Sequence, residues 1–231
     1  MILGIDSTTE ILHLALVEGE AAWTRRLVVG VGRSHSGSLL PTLNELMAEA
    51  GRQPGDLTGV VACVGPGGFT SLRIGVATAE GLALTGLPTW GFSAFELRAR
   101  ALRIAGFTEP AWILLDGQRN EVFAQHWNAV PTGPACKHPL AELPSLLQDQ
   151  PWWAPGTFAV KATAAAGYPP LPLQDEGSAT LAGLAQLCRE RPSFPPESPL
   201  VPFYLRETDA EVNFPEASRH LPDALRQGHA R

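Results

Sequence analysis

The sequence has little positive charge. Lysine and arginine together number 17 against 23 aspartate and glutamate residues, which gives a formal net charge of −6 over 231 residues. Free-standing affinity for nucleic acid needs basic side chains against the phosphates, so this balance argues against a chain that binds RNA or DNA alone. The basic clusters at 25–26 and 98–103 are too small to reverse that conclusion.

Cysteine pairs and long apolar runs are also missing. The three cysteines, Cys63, Cys136 and Cys188, are odd in number and far apart, which predicts a reducing compartment without a disulfide framework. No run approaches the ~20 apolar residues that a membrane-spanning helix needs. The opening "MILGID" predicts a strand. It has neither the basic n-region nor the long apolar h-region of a signal peptide. We therefore expect a cytoplasmic chain without membrane contact.

The motifs of metal, peptidase and P-loop sites are absent as well. No two histidines stand three or four positions apart, the spacing that puts two imidazoles on one helix face, so we predict no metal site. No serine lies in a G-x-S-x-G elbow. The glycine-rich stretch 65–75 does not fit GxxxxGK[ST]. The six histidines are His13, His35, His126, His138, His220 and His229.

What the sequence does have is a regular alternation of strands and helices. Residues 2–105 predict the order β-β-β-α-β-α-β-α, beginning with a three-stranded antiparallel meander. The first helix is expected from Leu39 to Ala50, with Pro41 in its first turn and Gly51 as its stop. The other predicted elements are strands at 2–6, 11–18, 21–29, 57–65 and 87–93, a helix ending near 86 and a helix at 94–105.

The second half begins with an echo of the first. The segment "AWILLDGQRNEVFAQHW" at 111–127 predicts a strand that ends in Asp116, then a turn and an alternating strand. The segment "ILGIDSTTEILHLAL" at 2–16 has the same pattern around Asp6. Such an echo predicts two related lobes.

Beyond the echo the pattern weakens. Residues 128–177 are rich in proline, glycine and alanine, and they predict irregular chain with a short helix near 141–149. Residues 178–191 predict a helix. We expect an N-terminal lobe at 1–105, a smaller lobe at 106–212 and a loosely held tail at 213–231.

Several motifs carry a resemblance to a known family. The stretches "GIDSTTE", "HSGSLLPTLNELMAEAG", "GPGGFTSLRIGVATAEGLA" and "LLDGQRNEVFAQHW" together resemble the TsaB family, and "PFYLRE" at 202–207 resembles that family's tyrosine-leucine-arginine ending. The resemblance covers residues 1 to about 212. It implies the two-lobe actin-like ATPase (ASKHA) fold, in which each lobe is a mixed sheet with β-β-β-α-β-α order and the second lobe is reduced.

The resemblance also implies a function without catalysis. TsaB-like chains are partner subunits of TsaD, which modifies adenosine 37 of tRNA with a threonylcarbamoyl group, together with an ATPase of the TsaE type. It implies a decayed active site, no required cofactor, and contact with tRNA only through the complex. ATP or ADP at a partner interface stays open. The alternatives are a stand-alone ATPase or phosphotransferase of the same fold, and a peptidase.

The chain departs from the family pattern at two places in the loop and helix around residue 70. It has Gly68-Phe69-Thr70-Ser71 where the family usually has Ser-Phe-Thr-Gly. It has Glu80 where the family usually has lysine. These changes alter loop flexibility and one surface charge.

Two turns and the glycine loop are the candidates for contact with phosphate. Their polar and glycine residues are either remnants of phosphate-binding turns or turn residues that bond their own backbone, and we favour the second interpretation. For the loop, we expect positive φ at Gly67 and Gly68 that delivers the next helix at a fixed angle. The candidate phosphate-facing residues are Asp6, Ser7, Thr8, Gly67, Gly68 and Asp116.

The helix after the glycine loop carries almost no charge. Apolar residues lie nearly all round it, which predicts cover on nearly all sides. Its small residues offer a flat strip that is covered either by another helix of the same lobe or by a partner, and the resemblance favours a partner. We expect the isolated chain to dimerise through the same surface. The candidate interface residues are Leu39, Leu43, Leu46, Met47, Leu72, Arg73, Gly75, Val76, Ala79, Glu80 and Ala83.

Overall fold

The structure, a computed structural model, describes residues 1–29 and 34–206. It contains two compact units. The first comprises the described residues of Met1–Thr108 together with Pro172–Val201, and the second comprises Glu109–Leu171 together with the described residues Pro202–Arg206. The chain therefore returns to the first unit, whereas the sequence predicted a contiguous second lobe at 106–212. The tail expected at 213–231 lies outside the described residues.

The first unit is built on a five-stranded mixed sheet. Its spatial order is β3-β2-β1-β4-β5, with β1, β2 and β3 antiparallel and with β4 and β5 parallel to β1. Three helices alternate with the later strands, which confirms the predicted order. The elements are β1 (Ile2–Asp6), β2 (Ile11–Glu18), β3 (Ala21–Val28), α1 (His35–Glu49), β4 (Gly59–Gly65), α2 (Phe69–Ala83), β5 (Thr89–Ser93) and α3 (Ala94–Ile104).

Helix α1 begins one turn earlier than the sequence predicted. Ser34 caps it, since its hydroxyl accepts a hydrogen bond from the backbone N–H of Gly37 at 3.1 Å. Pro41 consequently lies inside the helix and not in its first turn. The stop is as expected, because Gly51 has a φ of +64°. The candidate interface residues of this helix are instead buried in the core of the first unit, because they form the apolar side that packs inward: Leu39, Leu43, Leu46 and Met47.

Helix α2 turns its small residues toward its own sheet. Gly75 lies so close to β1 that a Cβ there would be 2.4 Å from Ser7 Oγ. Leu72, Val76 and Ala79 are buried on the same side. The expectation that the strip around Gly75 and Ala79 faces a partner is therefore wrong. Small residues allow a close approach of helix and sheet, and here that approach is within the unit.

The second unit repeats the first in reduced form. Its four principal strands have the order β10-β6-β7-β9, which matches β4-β1-β2-β3 of the first unit. The strand and helix order β-β-β-α-β-α recurs if the short β8 is set aside. The sequence echo predicted a related second lobe, and the family resemblance implied this order. The elements are β6 (Ala111–Asp116), β7 (Glu121–Asn128), β8 (Val130–Pro131), β9 (Cys136–Pro139), α4 (Leu143–Leu147), β10 (Trp152–Trp153) and α5 (Phe158–Ala166).

The sequence analysis missed β10 and α5, which lie in the stretch that it predicted to be irregular. Trp152 is fully buried and Trp153 nearly so, and α5 packs Phe158 and Ala162 into the same core. A two-residue strand and an alanine-rich helix between prolines and glycines have no periodic signal of their own. Burial of the aromatic side chains stabilises them.

The remaining helix, α6 (Glu176–Glu190), belongs to the first unit, and its assignment to the second lobe was wrong. It packs against α3 and against β1 and β2. Contact is close, since a Cβ on Gly4 of β1 would lie 2.6 Å from Cys188 Sγ. The helix thus covers the sheet face opposite to the one that Gly75 contacts.

The packing of α2 yields a first prediction. Ala79 is completely buried and Ala77 is exposed on the same helix. Ala79→Arg leaves a charge inside the unit without a partner, and should lower the free energy of unfolding by about 3–5 kcal/mol in chemical denaturation. Ala77→Arg is the matched control and should unfold like the unchanged chain. Equal stability of the two variants would contradict this assignment of the faces.

Candidate functional site

The turn after β1 is closed on itself. Asp6 is completely buried, and its Oδ1 accepts hydrogen bonds from the backbone N–H of Thr8 at 3.1 Å and from the Thr8 hydroxyl at 2.6 Å. This is the bonding of an aspartate to its own turn that the sequence analysis favoured. Both hydrogen bonds to Oδ1 of this carboxylate therefore come from within the turn.

The other oxygen, Oδ2, accepts a hydrogen bond from an arginine of α3. Arg98 is 1% exposed, and its Nη2 donates to Asp6 Oδ2 at 2.9 Å. Burial alone would raise the pKa of Asp6, but the charge of Arg98, with His13 and Thr8 beside it, holds that pKa well below its usual range. The carboxylate is ionised and paired with Arg98, and both of its oxygens already have protein partners. Neither oxygen is therefore left to bind a cation, such as a metal ion that accompanies a phosphate.

Two buried titratable groups lie beside this ion pair. His13 Nδ1 lies 3.5 Å from Asp6 Oδ2, and burial lowers the pKa of His13, so its imidazole is neutral. Burial also raises the pKa of the Cys63 thiol, which makes it a core residue and a poor nucleophile. Within the described part of the chain, Nε and Nη1 of Arg98 have no hydrogen-bond partner. The carboxylate of Asp6 is therefore the main group that offsets the cost of burying this guanidinium.

The glycine loop packs onto this turn. The backbone N–H of Gly68 donates to the carbonyl of Thr8 at 2.9 Å, and a Cβ on Gly67 would lie 2.5 Å from that oxygen. Positive φ occurs at Gly65, at +111°, and not at Gly67 or Gly68 as expected. Gly67 is thus required for close approach to the turn. The Ser7 hydroxyl also donates to the carbonyl of Ser71, at 2.7 Å.

The corresponding turn of the second unit is built in the same way. Asp116 Oδ1 accepts from the backbone N–H of Gln118 at 2.8 Å, and its Oδ2 accepts from Gln118 Nε2 at 3.0 Å. Arg206 holds the turn from outside, since its Nε donates to Glu121 Oε2 at 2.9 Å and its Nη2 to the Gln118 carbonyl at 3.0 Å. The sequence analysis quoted the motif that contains Arg206 but gave that residue no role.

Helices α1 and α2 pack against each other. Leu40 of α1 is 52% exposed, and Leu84 at the end of α2 is 89% exposed. Ala77 and Gly81, two small residues of α2 between Arg73 and Leu84 in the sequence, are exposed as well. We call these four residues the outer face. Of the predicted interface residues on α2, Arg73 is exposed and packs on Phe69 at 3.7 Å, while Glu80 and Ala83 are half-buried.

Between 1–29 and 34–206, no three histidine, cysteine or acidic side chains lie where they could share a metal ion. No helix in that part of the chain combines the length and apolarity that crossing a membrane requires.

Comparison with known sequences gives a consistent picture. A family model described as "TsaD: tRNA N6-adenosine threonylcarbamoyltransferase" matches residues 30–132. The tRNA threonylcarbamoyladenosine biosynthesis protein TsaB of Bacillus subtilis is 29% identical over 124 residues, which are 53% of this chain and 52% of that protein. An uncharacterized protein of Mycobacterium bovis is 29% identical over 219 residues, or 91% of this chain and 93% of that protein.

The chain is a relative of TsaB. It spans about half the length of the curated TsaB proteins that it matches. A crystal structure of a Pseudomonas aeruginosa protein, described as uncharacterized with similarity to peptidase YeaZ, superimposes with a TM-score of 0.68 at 24% identity, covering 89% of this chain and 99% of that one. That likeness concerns the fold, and it confirms the predicted actin-like class with two mixed sheets.

For this TsaB relative the buried pair gives the second prediction. Asp6→Asn keeps the shape of the side chain but leaves Arg98 buried without a counter-charge, and should cost about 3–5 kcal/mol in the free energy of unfolding. The double variant with Arg98→Met removes both charges and should be more stable than Asp6→Asn alone. Additive losses in a double-mutant cycle by urea denaturation would show that the two side chains are not coupled.

Proposed function

We propose that this chain is a non-catalytic subunit that binds and organises a TsaD-like threonylcarbamoyltransferase for the modification of adenosine 37 in tRNA. The observation that carries the proposal is the outer face. Leu40 and Leu84 are largely in water, and Ala77 and Gly81 are exposed on α2. Contiguous exposed apolar surface marks partner sites, and we assign this face to one. Kinship with TsaB supplies the identity of that partner.

The filled turn supports a chain without catalysis of its own. Asp6 is paired with Arg98 and bonded to Thr8, and Gly67 closes the loop over that turn. The superfamily's phosphate turn is thus occupied by protein groups, which is why we call the active site decayed. In this proposal the subunit needs no cofactor, and ATP or ADP would bind only where a partner completes a site.

The remaining parts of the assembly are included in the same proposal. A TsaE-like ATPase would join the complex in the cytoplasm, and tRNA would be bound by the complex, since the net charge of −6 gives this chain little attraction for phosphate. Without its partner the chain would form a homodimer through the outer face. The homodimer and the complex with the TsaD-like subunit would then compete.

The two alternatives have weaker support. A stand-alone ATPase or phosphotransferase needs a free phosphate turn, and Asp6 is committed elsewhere. A peptidase is suggested only by the description of the P. aeruginosa protein. Cys63 is buried with a raised pKa, so it is not a candidate nucleophile.

The outer face gives the third prediction. Ala77→Arg puts a bulky charge at its centre and should weaken binding of the TsaD-like subunit by at least about 2 kcal/mol, or roughly thirtyfold in Kd. The matched control is Ala164→Arg, on the exposed side of α5 in the second unit. Biolayer interferometry with the purified partner measures both, and light scattering measures the homodimer. Unchanged affinity for Ala77→Arg with a normal melting curve would place the interface elsewhere.

A further inference from the structure

A segment near the end of the first unit lies along the edge of its sheet. We call residues 194–201 the strap. The indole N–H of Trp90 donates to the carbonyl of Phe194 at 2.9 Å, and the backbone N–H of Glu197 donates to the carbonyl of Thr89 at 2.7 Å. The Thr89 hydroxyl donates in return to the Glu197 carbonyl. The strap is thus fastened to β5, the outermost strand on that side.

The last contact of the strap is with helix α2. The backbone N–H of Leu200 donates to Glu80 Oε1 at 2.8 Å, and the Leu200 side chain is 3% exposed. Glu80 is the residue that replaces the family's usual lysine. A carboxylate accepts hydrogen bonds, whereas a lysine ammonium only donates them, so lysine cannot hold this N–H. The sequence analysis counted Glu80 among the partner contacts, and the structure gives it an intramolecular role.

Glu80 also sets where the strap ends relative to the outer face. Ala77 and Leu84 stand three residues before and four residues after Glu80, which makes them its neighbours along one side of the helix. The residue that follows the anchored Leu200 is Val201, whose side chain is 56% exposed. Val201 therefore follows directly on the residue that is anchored to α2, and like Leu84 it is an exposed apolar residue.

We propose that Glu80 is a positioning residue, which holds the strap as a rim of the outer face so that the TsaD-like subunit contacts the helices and Val201 together. The inference rests on the proposed function. The strap belongs to the binding surface only while the hydrogen bond from Leu200 to Glu80 is made.

The test compares Glu80→Lys with Glu80→Gln, because glutamine keeps an oxygen that can accept the Leu200 N–H. In the free full chain, hydrogen exchange at 197–201 should be about tenfold faster for Glu80→Lys than for the unchanged chain, as expected for the loss of one hydrogen bond. Glu80→Gln should exchange like the unchanged chain. Affinity for the TsaD-like subunit should fall by about the same factor for Glu80→Lys alone.

A second variant separates the strap from the change of charge on α2. Val201→Ser leaves Glu80 and its hydrogen bond in place, so exchange at 197–201 should stay slow while partner affinity falls severalfold. Fast exchange of Glu80→Lys with unchanged affinity would overturn the inference and leave the proposed function standing, as would full affinity of Val201→Ser. Slow exchange of Glu80→Lys would refute the anchor itself. Absence of binding by the unchanged chain would overturn the proposed function.

Discussion

The buried ion pair between Asp6 and Arg98 is the interaction on which the arrangement of the first unit depends. It joins the end of β1 to α3 across the core, and both side chains are almost fully removed from water. An unpaired charge at either position would be costly, so the pair fixes how α3 lies against the sheet. The turn that follows Asp6 is fixed by the same carboxylate, and the glycine loop and α2 are packed against that turn.

This constraint supports the proposal that the chain acts through its surface. The turns after β1 and β6 keep the same bonding of an aspartate to the residue two positions later. Each is then held by an arginine from a distant element, Arg98 in one unit and Arg206 in the other. Groups that would have to be free to meet a phosphate are satisfied by the protein itself. The outer face of α1 and α2, in contrast, has apolar side chains that nothing in the described chain covers.

The sequence predicted the features that depend on local sequence patterns, above all the order of strands and helices. Strand alternation and turn residues gave the order of the first unit, and the echo around Asp116 gave the plan of the second. It could not predict which neighbour covers a strip of small residues: Gly75 and Ala79 indicated a close contact, but the partner is β1 and not another chain. The role of Arg98 was not predicted, because a helix pattern does not show a counter-charge that lies 92 positions away. The packing of α6 in the first unit likewise depends on contacts with residues far away in the sequence.

The central claim is that protein groups fill the phosphate turn, so that the isolated chain has lost nucleotide binding and acts through a partner. Calorimetric titration of the isolated chain with ATP and magnesium tests it most directly. The account predicts no heat of binding at micromolar or low millimolar nucleotide. Micromolar binding by the isolated, folded chain would contradict it, because a nucleotide site would then be present although Asp6 is paired with Arg98.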